Sequence, residues 1–221
     1  MPQLLNSHMT SAAPSALKAR KTPVQSRSRA TVDAIFEATI QVLLRDGMNG
    51  LTTTRVAVRS GVSVGTMYQY FPNKQALVYA LNERYLDSLA ERIEATCAVH
   101  EGAPLARMVE ALIDTYWRAK TERADITRAL YRSVAELNND ALLHAFAARV
   151  DAATTDMFAS ASDVTLTDAK KTNLTLATVI YGTVRNVFER GLSKGDAEEL
   201  RRNLAVMCQA YLEGLSARRQ E

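Results

Sequence analysis

Apolar residues recur at three- and four-residue spacing along almost the whole chain, which is the pattern of helices with one buried face. The first of these runs spans residues 28–46, and Gly47 follows it as a typical helix stop. A five-residue alternation over 163–167 is the nearest approach to a strand, and its shortness favours a loop between helices. The pattern therefore predicts an all-α protein. Its later helices are expected at about 73–100, 105–116, 126–134, 142–157, 168–190 and 196–216.

Two short helices are predicted between the first run and the helix that begins at 73. Thr52 or Thr53 can cap a helix that Gly61 ends. Ser63 can cap a second helix that Pro72 stops, because the residue before proline disfavours the α region. A helix, a tight glycine-containing turn and a second helix are the sequence form of a helix-turn-helix.

The helix after Ser63 presents an unusual exposed face. At 100° per residue, Val64 and Phe71 fall beside Met67 on a predicted buried edge, whereas Gly65 and Gln69 point the opposite way. The helix carries no charge, although short surface helices normally present charges to solvent. Such a face suits contact with a second surface. In a DNA major groove the Gln69 amide can pair with an adenine edge, and Gly65 lets the backbone come close.

The net charge of +3 is the sum of two unlike parts. Residues 1–80 hold nine basic and three acidic side chains, whereas 81–221 hold 18 basic and 21 acidic ones. The segment 1–27 is basic and rich in proline and small polar residues, so we expect it to be mobile when free. It could be a solvated leader or an arm along a nucleic-acid backbone. Five further cations could neutralise phosphates near the uncharged helix: Arg27, Arg29, Arg55, Arg59 and Lys74.

Composition argues against several other classes of protein. No apolar run approaches the ~20 residues of a membrane span and no signal peptide opens the chain, so we expect a cytoplasmic protein with no membrane partner. The three histidines have no metal-ligand spacing, and Cys97 and Cys208 are expected to be buried free thiols. We therefore expect no metal and no cofactor. The lack of a nucleophile–base pair or a phosphate-binding glycine loop argues against an enzyme.

Residues 51–80, LTTTRVAVRSGVSVGTMYQYFPNKQALVYA, resemble the DNA-binding segment of the TetR family of transcriptional regulators. The likeness rests on a threonine-capped helix, an A-x-x-x-G-V-S run and a T-[LM]-Y-x-[YH]-F helix. It covers about residues 28–88. It implies an all-α fold with an N-terminal three-helix helix-turn-helix DNA-binding domain at 28–88, the helix-turn-helix lying at about 51–71. A larger helical ligand-binding and dimerisation domain would follow at 89–221.

The resemblance also implies roles for individual residues in DNA binding. Thr53 and Thr54 would meet DNA at the start of the second helix, and Lys74 would meet a phosphate. Pro72 stands where relatives commonly have a basic residue, which implies one phosphate contact fewer. With the residue-level reasoning added, the predicted DNA-binding set is Arg27, Arg29, Thr53, Thr54, Arg55, Gly65, Thr66, Tyr68, Gln69, Tyr70 and Lys74.

The last two predicted helices are apolar on more than one face. One stripe is enough for a helix to join its own core, so the second stripe favours a partner, and the resemblance implies a homodimer with a four-helix interface. The alternative is a helix buried centrally in a monomer. The predicted interface residues are Ile180, Val184, Phe188, Leu204, Met207 and Tyr211.

The middle helices are expected, by analogy with the family, to enclose a small-molecule pocket. Its candidate lining is amphipathic and suits a largely apolar or aromatic effector, although aromatic residues at helical spacing are also typical of a plain core. The candidates are Tyr85, Tyr116, Trp117, Tyr131, His144, Phe146, Met157 and Tyr181.

These observations favour a sequence-specific DNA-binding transcriptional regulator. The leading hypothesis is a homodimeric repressor that a small-molecule effector releases from a palindromic operator on double-stranded DNA. An activator, or a regulator that answers no small ligand, is the first alternative. A helical partner-binding protein without DNA binding is a more remote one.

Overall fold

The computed structural model describes residues 26–136 and 139–217, and within them the side chains of 28–131 and 139–215. Every regular element in these ranges is an α-helix, so the predicted all-α fold is confirmed. The predicted tail at 1–27 lies almost wholly outside the described residues. The helices are α1 (Ser26–Gly50), α2 (Thr53–Ser60), α3 (Val64–Tyr70), α4 (Lys74–His100), α5 (Leu105–Thr121), α6 (Ala124–Glu136), α7 (Asp140–Ala159), α8 (Ala169–Glu189) and α9 (Lys194–Ala217).

The turns around α2 and α3 follow the predicted capping chemistry. The Thr52 hydroxyl accepts a hydrogen bond from the backbone N–H of Arg55 at 3.1 Å, which makes Thr52 the N-cap of α2. Gly61 ends α2 in the left-handed region, with φ 71°. The Ser63 hydroxyl then accepts from the backbone N–H of Thr66 at 3.0 Å and caps α3. Capping thus fixes both ends of the turn.

A first hydrophobic core holds α1, α2, α3 and the start of α4 together around Ile35, Met67 and Leu77. Two residues of α6, Ile126 and Leu130, belong to the same core. This part of the molecule is therefore built from the N-terminal helices and one helix from much later in the chain.

A second hydrophobic core joins the rest of α4 to α5, α7, α8 and α9. Cys97 and Cys208 lie in it as buried free thiols, as predicted. The α7–α8 loop, predicted over 163–167, crosses the start of α5, where the Asp163 carboxylate accepts from the Leu105 N–H at 2.9 Å. None of the described helices is long and apolar enough to cross a membrane.

One predicted core position is wrong. Val64 was expected beside Met67 on the buried edge of α3, but its side chain is 40% exposed. Val64 is the first residue of a seven-residue helix and lies beyond the part of α3 that Met67 and Phe71 anchor in the core.

Replacing Gly61 with alanine should lower the free energy of unfolding by about 1 kcal/mol, because a Cβ is disfavoured in left-handed backbone. Gly65 provides a matched control, since it lies in helical backbone and a Cβ there would be 3.7 Å from Ser63 Oγ, an ordinary van der Waals contact. Gly65→Ala should therefore be neutral or stabilising by up to about 1 kcal/mol. Urea unfolding measures both variants, and equal losses would contradict the assignment.

Candidate functional site

The outer face of α3 is the first candidate site. Gly65 and Gln69 are exposed, as predicted, and Tyr68 is exposed beside them. Thr66 is half-buried, and its hydroxyl lies 2.8 Å from Ser63 Oγ. The face therefore offers an amide, hydroxyl groups and bare backbone, and no charge, to whatever it contacts.

Tyr70 does not belong to this face, so its place in the predicted DNA-binding set is corrected. Its ring is only 6% exposed and lies in the first core. Its hydroxyl is 2.9 Å from Ser28 Oγ on α1. Three residues after Met67, Tyr70 is about 60° from it around the helix and so shares its buried side. Tyr70 holds α3 against α1.

The start of α2 supplies the neighbouring groups. Thr53 is buried, and its hydroxyl donates to the Tyr68 hydroxyl at 3.4 Å. It therefore positions Tyr68 and is not itself exposed for contact with DNA. Thr54, in contrast, is exposed. Of the two threonines predicted to meet DNA, Thr54 is the one available to do so.

The cations around α3 are partly engaged with the backbone. Arg55 donates to the carbonyl of Gly50 at 2.9 Å, and its guanidinium, 3.6 Å from the Asp46 carboxylate, stays exposed. Lys74 donates to the carbonyl of Met48 at 3.2 Å and so ties the start of α4 to the end of α1. Arg29 is exposed on α1, whereas the Arg27 side chain lies outside the described set. These contacts hold positive charge beside the uncharged face.

A second candidate site lies inside the molecule, around Lys120 of α5. This lysine is only 2% exposed, and its ammonium lies over three aromatic rings. The Nζ atom is 4.6 Å from the ring centre of Tyr85, 4.9 Å from that of Tyr131 and 5.4 Å from that of Tyr116. No acidic side chain of the described residues is within ion-pair distance. We call Lys120 and these three tyrosines, with Tyr181, the tyrosine cage.

The protonation states of the cage follow from its burial. Burial lowers the pKa of Lys120 to about 7. Burial also raises the pKa of Tyr85 to about 12 and that of Tyr116 well above its usual value. The cage is therefore a place where a cation is disfavoured and phenol groups stay neutral at physiological pH.

Tyr181 completes the cage from α8. Its ring centre is 4.5 Å from that of Tyr116, and burial raises its pKa. The Tyr181 hydroxyl is buried and has no hydrogen-bond partner among the described residues. Four of the eight residues predicted to bind a ligand thus converge from α4, α5, α6 and α8.

The other four predicted ligand residues lie elsewhere. Trp117 and Met157 are buried in the second core, and Phe146 packs against that core while half-buried. His144 is exposed on α7 and does not reach the cage. Histidine on a helix surface gives no sequence signal that separates it from a buried one.

A cavity of about 280 Å³ borders the cage. Tyr85 belongs to the cage and also lines the cavity. Its hydroxyl lies 3.0 Å from Thr127 Oγ1, and Thr127 is another residue of the cavity wall. Thr127 also donates to the backbone carbonyl of Lys120 at 2.9 Å. The cavity runs between α1, α4, α5 and α6, so it lies between the two hydrophobic cores.

Sequence reasoning missed Lys120, although a signal was present. Leu112, Tyr116 and Lys120 are four residues apart, so the lysine continues an apolar stripe of α5. A lone lysine in such a stripe is an anomaly that a search for apolar spacing passes over.

The predicted dimer stripe is largely corrected by the burial of its members. Ile180, Val184, Phe188 and Leu204 are buried in the second core and cannot contact a partner. Met207 is 61% exposed, and Tyr211 is half-buried. When a helix carries two apolar stripes, the wider one belongs to the subunit's own core. The outer stripe of α8 and α9 holds Leu174, Val206 and Met207 instead.

The capped turn, the anchored α3 and the flanking cations define a helix-turn-helix DNA-binding protein. In the described ranges no group of three or more histidine, cysteine or acidic residues could hold a metal ion. The family model of bacterial regulatory proteins of the tetR family matches residues 35–81. The model of the tetracyclin repressor-like C-terminal domain matches residues 104–212. Together they cover well over half of the chain, which belongs to the TetR family.

Individual relatives are similar over only part of this chain. The nucleoid occlusion factor SlmA of Haemophilus ducreyi is 36% identical over 84 residues, which are 38% of this chain and 41% of that protein. The class C tetracycline repressor protein of Escherichia coli is 43% identical over 54 residues, 24% of this chain and 25% of that protein. The chain therefore spans well under half the length of these curated relatives.

The likeness of fold extends much further. The crystal structure of a TetR-family transcriptional regulator from Streptomyces coelicolor superposes with a TM-score of 0.59 over 84% of this chain and 99% of that one, at 22% identity. The family fold is thus retained where sequence similarity is low.

Replacing Lys120 with methionine should stabilise the protein at pH 7 by an amount on the order of 3–5 kcal/mol. Since burial lowers the lysine pKa from 10.5 to about 7, the unfolded chain binds more protons between those pH values, and wild-type stability rises across that window. The gain should therefore be full at pH 6 and shrink towards pH 10. Urea unfolding at several pH values measures it.

Lys170→Met is the matched control for this experiment, because Lys170 is exposed on α8. It should change stability by no more than about 0.5 kcal/mol at any pH. A gain for Lys120→Met that stays constant with pH would show that lost packing, not charge, is being measured.

Proposed function

We propose that this protein is a homodimeric transcriptional repressor that binds a palindromic operator and is released from it by a small-molecule effector. The observation that carries the proposal is the exposed, uncharged face of α3, held by Tyr70 against α1 and flanked by cations. Gln69 reads a base edge in the major groove, and Tyr68 and Thr54 contact the backbone nearby.

Homodimer formation follows from the outer stripe of α8 and α9. Leu174, Val206 and Met207 are large apolar side chains that the subunit's own core does not use. The small exposed residue Gly182 lies about two turns after Leu174, and Ala210 lies one turn after Val206 and Met207, so both let a neighbouring helix approach closely. A two-fold axis through this surface presents two copies of α3 to DNA about one helical turn apart, roughly 34 Å.

Release by an effector is supported by the position of α6. On one face of α6, Thr127 contacts Tyr85 and the carbonyl of Lys120. On another face, Ile126 and Leu130 pack in the first core with α1. A molecule that binds in the cage and moves α6 therefore also moves the contact between α6 and the DNA-binding helices. It shifts the population towards a state that no longer fits the operator.

The relatives support DNA binding but not a common biological role. The nucleoid occlusion factor and the tetracycline repressor protein match over 38% and 24% of this chain, and the model of tetR-family regulatory proteins matches residues 35–81. An activator remains the alternative, and the direction of a reporter's response to loss of the protein separates the two.

The decisive experiment is selection of an operator from random DNA, followed by footprinting and a promoter reporter. We expect a palindrome with half-sites about one turn apart and increased transcription when the protein is removed. Binding that shows no sequence preference at any salt concentration would overturn the proposal.

Gln69→Ala should relax base preference at one position per half-site and cost about 1–3 kcal/mol of discrimination. Lys74→Ala is the matched contrast, because a phosphate contact carries no sequence information. It should weaken binding to all sequences equally and reduce the salt slope by about one. Titrations of operator and scrambled DNA at several salt concentrations measure both. An equal loss on the two DNAs for Gln69→Ala would remove this residue from base recognition.

Met207→Asp should convert the dimer to a monomer and weaken operator binding by at least about 100-fold, because it buries an unpaired charge in the interface. Val99→Asp serves as the control, since Val99 is an equally exposed apolar residue on α4. Analytical ultracentrifugation gives the oligomeric state. A dimeric Met207→Asp protein, or equal dissociation of the control, would rule out this surface.

A further inference from the structure

The ammonium of Lys120 is buried beside the second core and has no acidic partner among the described residues. Its three aromatic neighbours offset part of the several kcal/mol that removing an ammonium from water costs, but they supply no negative charge. A methionine at this position would fill the same space without that penalty. The lysine therefore suits a function that requires a cation here.

A second polar group lies across the same rings. Tyr181 packs on Tyr116 at 4.5 Å, and its buried hydroxyl is unpartnered among the described residues. Asn173, also on α8 and buried, has an unpartnered side-chain oxygen as well. Unpartnered buried polar atoms are few in native proteins, and the Tyr181 hydroxyl belongs to a ring packed on Tyr116, one of the three rings beside Lys120, which favours a place built to receive a polar molecule.

The chemistry of the cage selects the charge of that molecule. An ammonium and phenol hydroxyls donate hydrogen bonds to an acidic group, and the ammonium repels a second cation. The rings of Tyr85, Tyr116 and Tyr131 provide flat apolar walls for the rest of the ligand. The adjoining cavity of about 280 Å³ has apolar walls from Phe36 and Leu89, and its size suits a small molecule. Three arginines and three acidic residues also line it: Arg84, Arg92, Arg123, Asp33, Glu37 and Glu122.

We propose that the effector is a small organic anion with an aromatic body, and that Lys120 binds its carboxylate within the tyrosine cage. This inference rests on the proposed effector-released repressor and gives the chemical class of the effector. It revises the sequence-based expectation of a largely apolar ligand, because that expectation was made without Lys120.

The test compares aromatic acids with their uncharged and cationic counterparts of the same shape. The probes are benzoate, 4-hydroxybenzoate and 2-naphthoate, the corresponding primary amides, and benzylamine. Calorimetry and thermal shift measure binding to the full-length protein without DNA. At least one acid should bind wild type at least about tenfold more tightly than its amide, and benzylamine should not bind.

Variants then assign the effect to the cage. Lys120→Met should reduce the preference for acid over amide to within about threefold, whereas Lys170→Met should retain it in full. Tyr181→Phe, which removes one hydroxyl and keeps the ring, should weaken acid binding several-fold. Equal affinity for acids and amides, undiminished acid binding by Lys120→Met, or no binding of any acid at millimolar concentration would each overturn the proposal.

The pH dependence of binding gives an independent reading of the same contact. Because a carboxylate binds the protonated lysine, acid affinity should fall by up to about tenfold per pH unit above pH 7, and Lys120→Met should lack this dependence. The groups facing Lys120 are Tyr85 from α4, Tyr116 from α5 and Tyr131 from α6, and burial raises the pKa of each, so they stay neutral from pH 6 to 9. An acid affinity that does not change over this range would contradict the lysine contact.

Operator binding distinguishes the anion-site proposal from the repressor proposal on which it rests. The acids should no longer release Lys120→Met from operator, whereas Lys170→Met should bind operator and be released from it as wild type is. Acids that bind wild type while no operator can be found would defeat the repressor proposal and leave the anion site standing. An operator complex that resists every acid, together with no acid binding, would defeat the anion site alone.

Discussion

The packing of α6 against α1 is the contact on which the rest of the structure depends. Ile126 and Leu130 complete the first core, although the other buried residues of that core all lie between Val32 and Leu81. Without them, the N-terminal helices would meet the second core mainly through α4. Since α6 also carries Thr127 and Tyr131, the same helix is a wall of the first core and a wall of the tyrosine cage. Neither core can rearrange without the other being affected.

Stability and function are opposed at Lys120. The buried ammonium makes the free protein less stable than an apolar residue would, and its three aromatic neighbours offset only part of the loss. A protein with a folding free energy of about 5–15 kcal/mol tolerates one such group when it serves a function. The cost of burying this ammonium also makes the binding of an anion beside it more favourable. An anion that fits the cage restores the stability that the free protein lacks, so binding favours one arrangement of α4, α5 and α6.

Local chemistry made the N-terminal half predictable, because caps and glycine turns act within a few residues. Thr52, Gly61 and Ser63 set the bounds of α2 and α3 in the sequence and in the structure alike. Positions set by packing between helices were harder. Tyr70 lies in the core although it carries a polar hydroxyl, because that hydroxyl is close to the Ser28 hydroxyl. The two residues are 42 positions apart, so the sequence gives no local sign of the contact. The sequence also does not show which apolar stripe of α8 and α9 faces the subunit's own core. That choice depends on how α5 packs against α9. Lys120 was missed because its three aromatic neighbours come from three different helices.

The uncharged face of α3 has a consequence for how this protein can change over evolutionary time. The cations proposed to attract DNA lie on α1, α2 and the start of α4, and two of them, Arg55 and Lys74, donate to the backbone carbonyls of Gly50 and Met48. The groups that distinguish one sequence from another lie on a separate, seven-residue helix. Under the proposed function, substitutions at Gln69 or Thr66 would redirect the protein to a new set of genes while its sequence-independent affinity for DNA, and its response to the effector, stayed unchanged.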